Sequence, residues 1–104
     1  MDPLHPIQRQ LILNLRALLV AINQKLPMLN IYFPPTVRFN YINFINYYSE
    51  YLARINTPQQ FNERAPILAL AIQTTHDAID QLINSCQQIV RMQIEISSLD
   101  IPPP

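Results

Sequence analysis

Few side chains in this chain are of the kinds that carry out chemistry, and their spacing limits what they could do. His5, His76 and Cys86 are the candidates for metal ligation or nucleophilic attack. The two histidines lie far apart, and neither stands at a zinc-ligand spacing from Cys86. His76, Asp77 and Asp80 fall on neighbouring positions of a helix, a trio that an ordinary solvated face also produces. No Ser, His and Asp arrangement is recognisable, and no carboxylate pair is placed for acid–base work. Glycine is absent, which removes the dinucleotide fingerprint, the phosphate loop and the nucleophile elbow together. The expectation is a protein that is not an enzyme and uses no cofactor or metal.

Binding chemistry is better represented. Wound as a helix, the stretch TVRFNYINFINYYSEYLARIN from Thr36 to Asn56 places Val37, Tyr41, Phe44, Ile45, Tyr48, Tyr51, Leu52 and Ile55 on one face. Asn40, Asn43, Tyr47, Glu50 and Arg54 fall opposite. Asparagine and tyrosine are poorer helix formers than lysine, glutamate or alanine, so their concentration there marks a contact surface or reflects an Asn-rich composition. In the preceding segment Arg9, Arg16 and Asn23 recur every seven residues, about 10.5 Å apart along a helix. They form either a solvated strip or a row of phosphate contacts. Lys25 and Arg38 complete the candidate cations.

Composition restricts the partner. Hydrophobic residues make up 49% of the 104 residues and charged ones 13%, roughly half the usual charged share of about 25%. A small domain so sparsely charged is expected to associate. Seven basic residues balance seven acidic ones, so bulk charge announces neither nucleic acid nor membrane. The single cysteine excludes an internal disulfide. With no charged-then-apolar leader and no apolar run long enough for a bilayer, the expectation is a cytoplasmic protein without a membrane partner.

Ten prolines divide the chain. Proline is tolerated at a helix start and disfavoured in its interior, so three helices are expected, at about 6–26, 36–56 and 66–97. The first carries the stripe Leu4, Ile7, Leu11, Leu15, Leu18, Ile22 and Leu26, with Ile12, Leu13, Leu19 and Val20 adding apolar surface on other sides. A helix greasy on so many sides needs more than one neighbour. Residues 27–35, PMLNIYFPP, read as an extended connector that returns the second helix antiparallel. Thr57-Pro58-Gln59-Gln60 has the form of a capping box and starts a short turn over 58–64 that Pro66 interrupts. In the third helix Leu68, Ile72, Thr75, Ile79, Leu82, Cys86, Ile89 and Ile96 mark the buried side, while Asp77, Asp80, Gln81, Gln88 and Arg91 face away. At about 45 Å it would overhang the hairpin and pack on a second subunit. The architecture expected is all-α: one helical domain over 1–97, an antiparallel hairpin plus a long third helix in a dimeric bundle. A mobile Pro-rich tail, 98–104, closes the chain.

The layout resembles the small double-stranded-RNA-binding silencing suppressors of nodaviruses over about the first two thirds of the chain. Ile7-Gln8 stands early in the first helix, FPPTVR opens the second, Arg54 falls late in it, and the proline-bounded TPQQFNERAP follows. The resemblance implies a homodimer in which two hairpins pair antiparallel into a four-helix bundle. One face of the bundle would lie along an RNA duplex without reading its sequence, shielding it from the silencing machinery of a host cell, whose proteins become possible partners. It also implies Arg54 as the main phosphate contact and Arg38 as a second. This chain departs from the family in having fewer cations and a longer third helix. Arg38 and Arg54 also lie roughly 160° apart around one helix.

From the residues alone, duplex recognition by shape needs cations for phosphates and uncharged hydrogen-bonding groups for the shallow minor groove. Arg54, Arg38, Asn40, Asn43, Tyr47, Arg16 and Arg9 are the side chains that could supply them. The competing expectation is a homo-oligomeric scaffold or protein-interaction module that binds no nucleic acid.

Overall fold

A computed structural model describes residues 2–99, which form three helices: α1 (Pro6–Tyr32), α2 (Pro35–Ala53) and α3 (Pro58–Leu99). The fold class is all-α, as the periodicity predicts, but several helix boundaries differ.

Pro27 and Pro66 were expected to end or interrupt helices, and both lie inside one. α1 therefore reaches Tyr32 rather than Leu26, and the expected turn over 58–64 is the first part of α3. An interior proline costs about 3 kcal/mol because it removes one N–H and crowds the carbonyl four residues back. Each proline here is exposed, as are Asn23 and Asn62, whose carbonyls lose their partners, so water can replace the missing bonds. Buried side chains hold the helix on both sides of each site: Leu26 and Leu29 around Pro27, Ala65 and Leu68 around Pro66. Burying one leucine contributes about 1.5–3 kcal/mol, enough for such a pair to offset a proline.

Only Phe33 and Pro34 separate α1 from α2. Phe33 is extended, as a residue before proline prefers, and its N–H donates to the Leu29 carbonyl at 2.8 Å. α2 stops at Ala53, three residues short of the expected Asn56, with Arg54 as its C-cap. The cap expected for a short turn forms and instead begins α3: Gln60 N–H donates to Thr57 Oγ1 at 3.2 Å. Gln60 Oε1 reaches back one residue further than a standard box and accepts from Asn56 N–H at 2.8 Å.

α1 is the middle element, packing extensively on both neighbours, whereas α2 and α3 meet narrowly. The two-sided apolar character of α1 thus has its neighbours, but the stripe is rotated from the expected one. Ile12, Leu15, Leu19, Ile22, Leu26 and Leu29 are buried, while Ile7 and Leu11 are exposed. The rotation follows from serving two neighbours at once, since the core must lie between their directions. Leu52, Ile55, Leu68, Ile72, Ile79 and Ile83 complete the buried cluster, rimmed by Val37, Tyr41, Phe44, Ile45, Tyr48 and Tyr51 of α2.

α3 runs parallel to α1, with Lys25 level with His76. By that offset Tyr32, the end of α1, is level with Ile83, which is the last buried residue of α3. The remaining helix to Leu99 projects about 24 Å past the hairpin. The molecule accordingly measures 78 × 25 × 17 Å, with a radius of gyration of 19.5 Å against about 13 Å for a compact chain of this length. Ile89 and Ile96, expected in the core, are exposed on the projection, past the level at which α1 ends. Ser98 and Leu99 belong to α3 rather than to a tail. Residues 100–104 of the expected tail lie outside the described residues.

Candidate functional site

The side chains singled out for duplex binding divide among separate surfaces. Asn40, Asn43, Tyr47 and Arg54 are all exposed on the outer side of α2, as its polar face predicts. Tyr47 is fixed there by other rings: its centroid lies 5.4 Å from that of Tyr48 and 5.3 Å from that of Tyr51, and Phe44 stacks on Tyr48 at 4.3 Å. These distances suit edge and offset ring contacts, which hold Tyr47 against free rotation. Tyr47, Tyr48 and Tyr51 also line a shallow groove with Glu63, Arg64, Ile67 and Leu68 of α3.

Arg16 lies elsewhere. It lines a second groove with Leu19, Val20 and Asn23 of α1 and with Ile45, Ser49 and Ala53 of α2. Tyr47 and Ser49 are about 200° apart on α2, so the Arg16 groove and the tyrosine groove occupy opposite flanks of that helix. Arg9 is exposed near the start of α1, where one guanidinium nitrogen donates to the Leu4 carbonyl at 3.4 Å. Arg38 is half-buried, and its Nε is covered without an acceptor. Asn40, Asn43, Tyr47 and Arg54 thus share one exposed face, while Arg16 and Arg9 lie on α1.

Lys25, a candidate cation in the sequence, is engaged within the fold. Its ammonium donates to Asp80 Oδ1 and sits 3.2 Å from His76 Nε2, tying α1 to α3. Asp80 was expected to face away and instead completes this junction. His76 Nδ1 lies 3.4 Å from Asp77 Oδ1 on the same helix. The hydrogen bond from Lys25 holds the Asp80 carboxyl below its ordinary pKa, with partial burial opposing and the charges of Lys25 and His76 adding to the depression. The junction is a polar clasp two turns before the end of α1. Among the described residues no group of three His, Cys, Asp or Glu side chains could hold a metal ion.

One feature escaped the sequence reading: Arg64 joins the tyrosine groove although the segment carrying it was read as a separate turn. The far end of α3 overhangs the hairpin, as its expected length implied, and Ile89, Val90, Met92, Ile94, Ile96 and Leu99 are all exposed on it. Their helical spacing was visible, but periodicity cannot tell a covered stripe from a bare one. No family model, curated protein or solved structure matches this chain. No helix among the described residues is long and apolar enough to cross a membrane.

Proposed function

We propose that this protein acts as a self-associating helical interaction protein, a binding module rather than a catalyst. One observation carries the reading: the last four turns of α3 project beyond the hairpin with large apolar side chains bare to water. Scattered exposed hydrophobics are normal on a monomer, but a contiguous apolar end on a chain with 13% charged residues marks an association surface. Leu11, Asn14, Leu15, Leu18, Phe61, Ala65 and Ala69 add an apolar groove between α1 and α3. Sedimentation velocity at micromolar concentration is expected to give a dimer or larger species, and a monomer across that range sinks the proposal.

A second reading is double-stranded-RNA binding by the dimer, independent of sequence and suited to shielding duplexes from silencing in a host cytoplasm. It is favoured by the exposed amide, phenol and guanidinium groups of Asn40, Asn43, Tyr47 and Arg54 on one helix face. Twofold pairing would double that face, and each phosphate neutralised would make binding more salt-dependent. Under this reading a duplex of about 20 base pairs is retarded at low salt and Arg54→Ala removes the shift while leaving the assembly intact. Absence of any shift by wild-type protein at micromolar concentration and low salt ends it.

A further inference from the structure

We infer that α3 carries a second seam, separate from its core-facing side, and that this seam docks on the same helix of a second copy in antiparallel register. The inference rests on the self-association just proposed and names its surface. In the first half of α3 the seam runs through Ile67, Ala71, Thr74, Ala78 and Gln81. It continues through Ser85, Ile89, Met92, Ile96 and Leu99. The steps alternate between four and three residues, with one extra step of four between Ser85 and Ile89. That extra step keeps the row within about 80° on one side of a straight helix instead of drifting around it. The row lies roughly 130° from the side that buries Ile72 and Ile79.

Three observations show that the seam lacks a cover in the single chain. Apart from half-buried Ala71, its residues are exposed from Ile67 at 71% to Leu99 at 83%. None of them is charged, over a length of about 48 Å, although Glu63, Asp77, Arg91 and Glu95 decorate neighbouring positions of the same helix. Exposed helices ordinarily use such positions for charge. Finally, the hairpin ends level with Ile83, so no part of the described chain reaches the large side chains beyond it.

The distribution of sizes points to a second copy as the occupant. The bulky members cluster at the C-terminal end, and small or short ones fill the middle. In antiparallel pairing about a twofold axis next to Gln81, Ile96 of one helix meets Ile67 of the other, Met92 meets Ala71, Ile89 meets Thr74 and Ser85 meets Ala78. A large side chain therefore faces a smaller one in the Met92–Ala71 and Ile89–Thr74 layers, and small faces small next to the axis at Ser85–Ala78, an arrangement that lets two helices approach closely. Ile67 borders the shallow groove floored by Tyr47 and Tyr51, so the incoming isoleucine is received by a recess rather than a flat surface. A twofold contact of this kind is self-complementary and closes at two chains. Parallel pairing would instead stack bulky on bulky at one end and leave the recess empty.

Cysteine cross-linking of the full chain tests the register. In a Cys86→Ser background, Ile67→Cys and Ile96→Cys proteins are mixed and oxidised, with Thr74→Cys and Ile96→Cys as the pair shifted by one heptad. The expected result is a covalent dimer from the first mixture, little from the shifted pair and little from any variant alone. Cross-linking of single variants with themselves would mean parallel helices, and preference for the shifted pair would mean another register; either overturns the inference. Sedimentation of the same proteins separates the two levels of the claim: dimers that do not cross-link remove the seam and leave self-association standing, whereas monomers remove both. Met92→Asp provides an independent check, with an expected rise in the dimer dissociation constant of at least about 30-fold and unchanged helix content. An unchanged dissociation constant would refute the seam.

Discussion

The two halves of α3 have the same kind of sequence and different surroundings. From Pro58 to Ile83 its apolar side is pressed against α1, and Ile72 and Ile79 are wholly buried. From Asn84 to Leu99 the isoleucines continue at helical spacing, yet every residue past Gln87 is exposed. Helix propensity does not distinguish the halves, and neither does composition in any obvious way. What separates them is the length of α1, which ends level with Ile83. A stripe of apolar residues states that a surface is suited to burial, but a neighbour of matching length must exist before it is buried.

The sharpest way to break this contrast is to truncate the same residue type on each side of the boundary. Ile72→Ala or Ile79→Ala is expected to cost about 2–5 kcal/mol in urea unfolding, because each removes contacts in a filled core. Ile96→Ala, measured in dilute solution where chains are separated, is expected to change stability by no more than about 0.5 kcal/mol. Equal losses at Ile79 and Ile96 under those conditions would erase the distinction between the halves.

Pro66→Ala probes how the packed half tolerates its proline. It restores an N–H that can bond to the Asn62 carbonyl and is expected to stabilise the chain by about 1–3 kcal/mol in the same assay. A loss of stability would show that Pro66 shapes a bend the packing requires. Thr57→Ala removes the acceptor for Gln60 N–H at the start of that half and is expected to cost about 1 kcal/mol, read as a lower urea midpoint.

The smallest effect is expected inside the packed half, short of the boundary, where Lys25 clasps Asp80. Because the Asp80 pKa is lowered in the folded state, its contribution is complete above the ordinary aspartate value of about 3.9 and is lost as pH falls through the folded value. Both side chains remain in partial contact with water, so the loss is modest. Lys25→Met is expected to flatten stability against pH in that acidic window. An unchanged slope would show that the clasp adds no stability to the α1–α3 junction.

Much of the architecture was legible in the residues. The α2 polar face is exposed at Asn40, Asn43, Tyr47 and Arg54 because a period of 3.6 residues fixes which side chains share a side. The Thr57 cap was legible because it is a local pairing over three residues. The prolines misled, since a penalty of about 3 kcal/mol was weighed without the flanking burial that outweighs it. How the candidate binding residues divide among surfaces was not legible for a similar reason. Helical period could place Arg54 beside Asn43 within one helix, but it could not reveal that Arg16 opens onto the opposite flank of α2, that Arg38 is half-buried, or that Lys25 belongs to Asp80.

By itself the sequence determined that the chain is helical, which side of α2 is polar, that Thr57 caps the turn that follows it, and that charge is too scarce to cover the whole surface. These follow from interactions within a few residues, whose geometry the backbone repeat specifies. Only the tertiary structure decided that helices pass through Pro27 and Pro66, which apolar stripe of α1 is the core, and that the cover on α3 ends after Ile83. Those outcomes depend on how long adjacent helices are and which directions they occupy, quantities set by packing among distant segments.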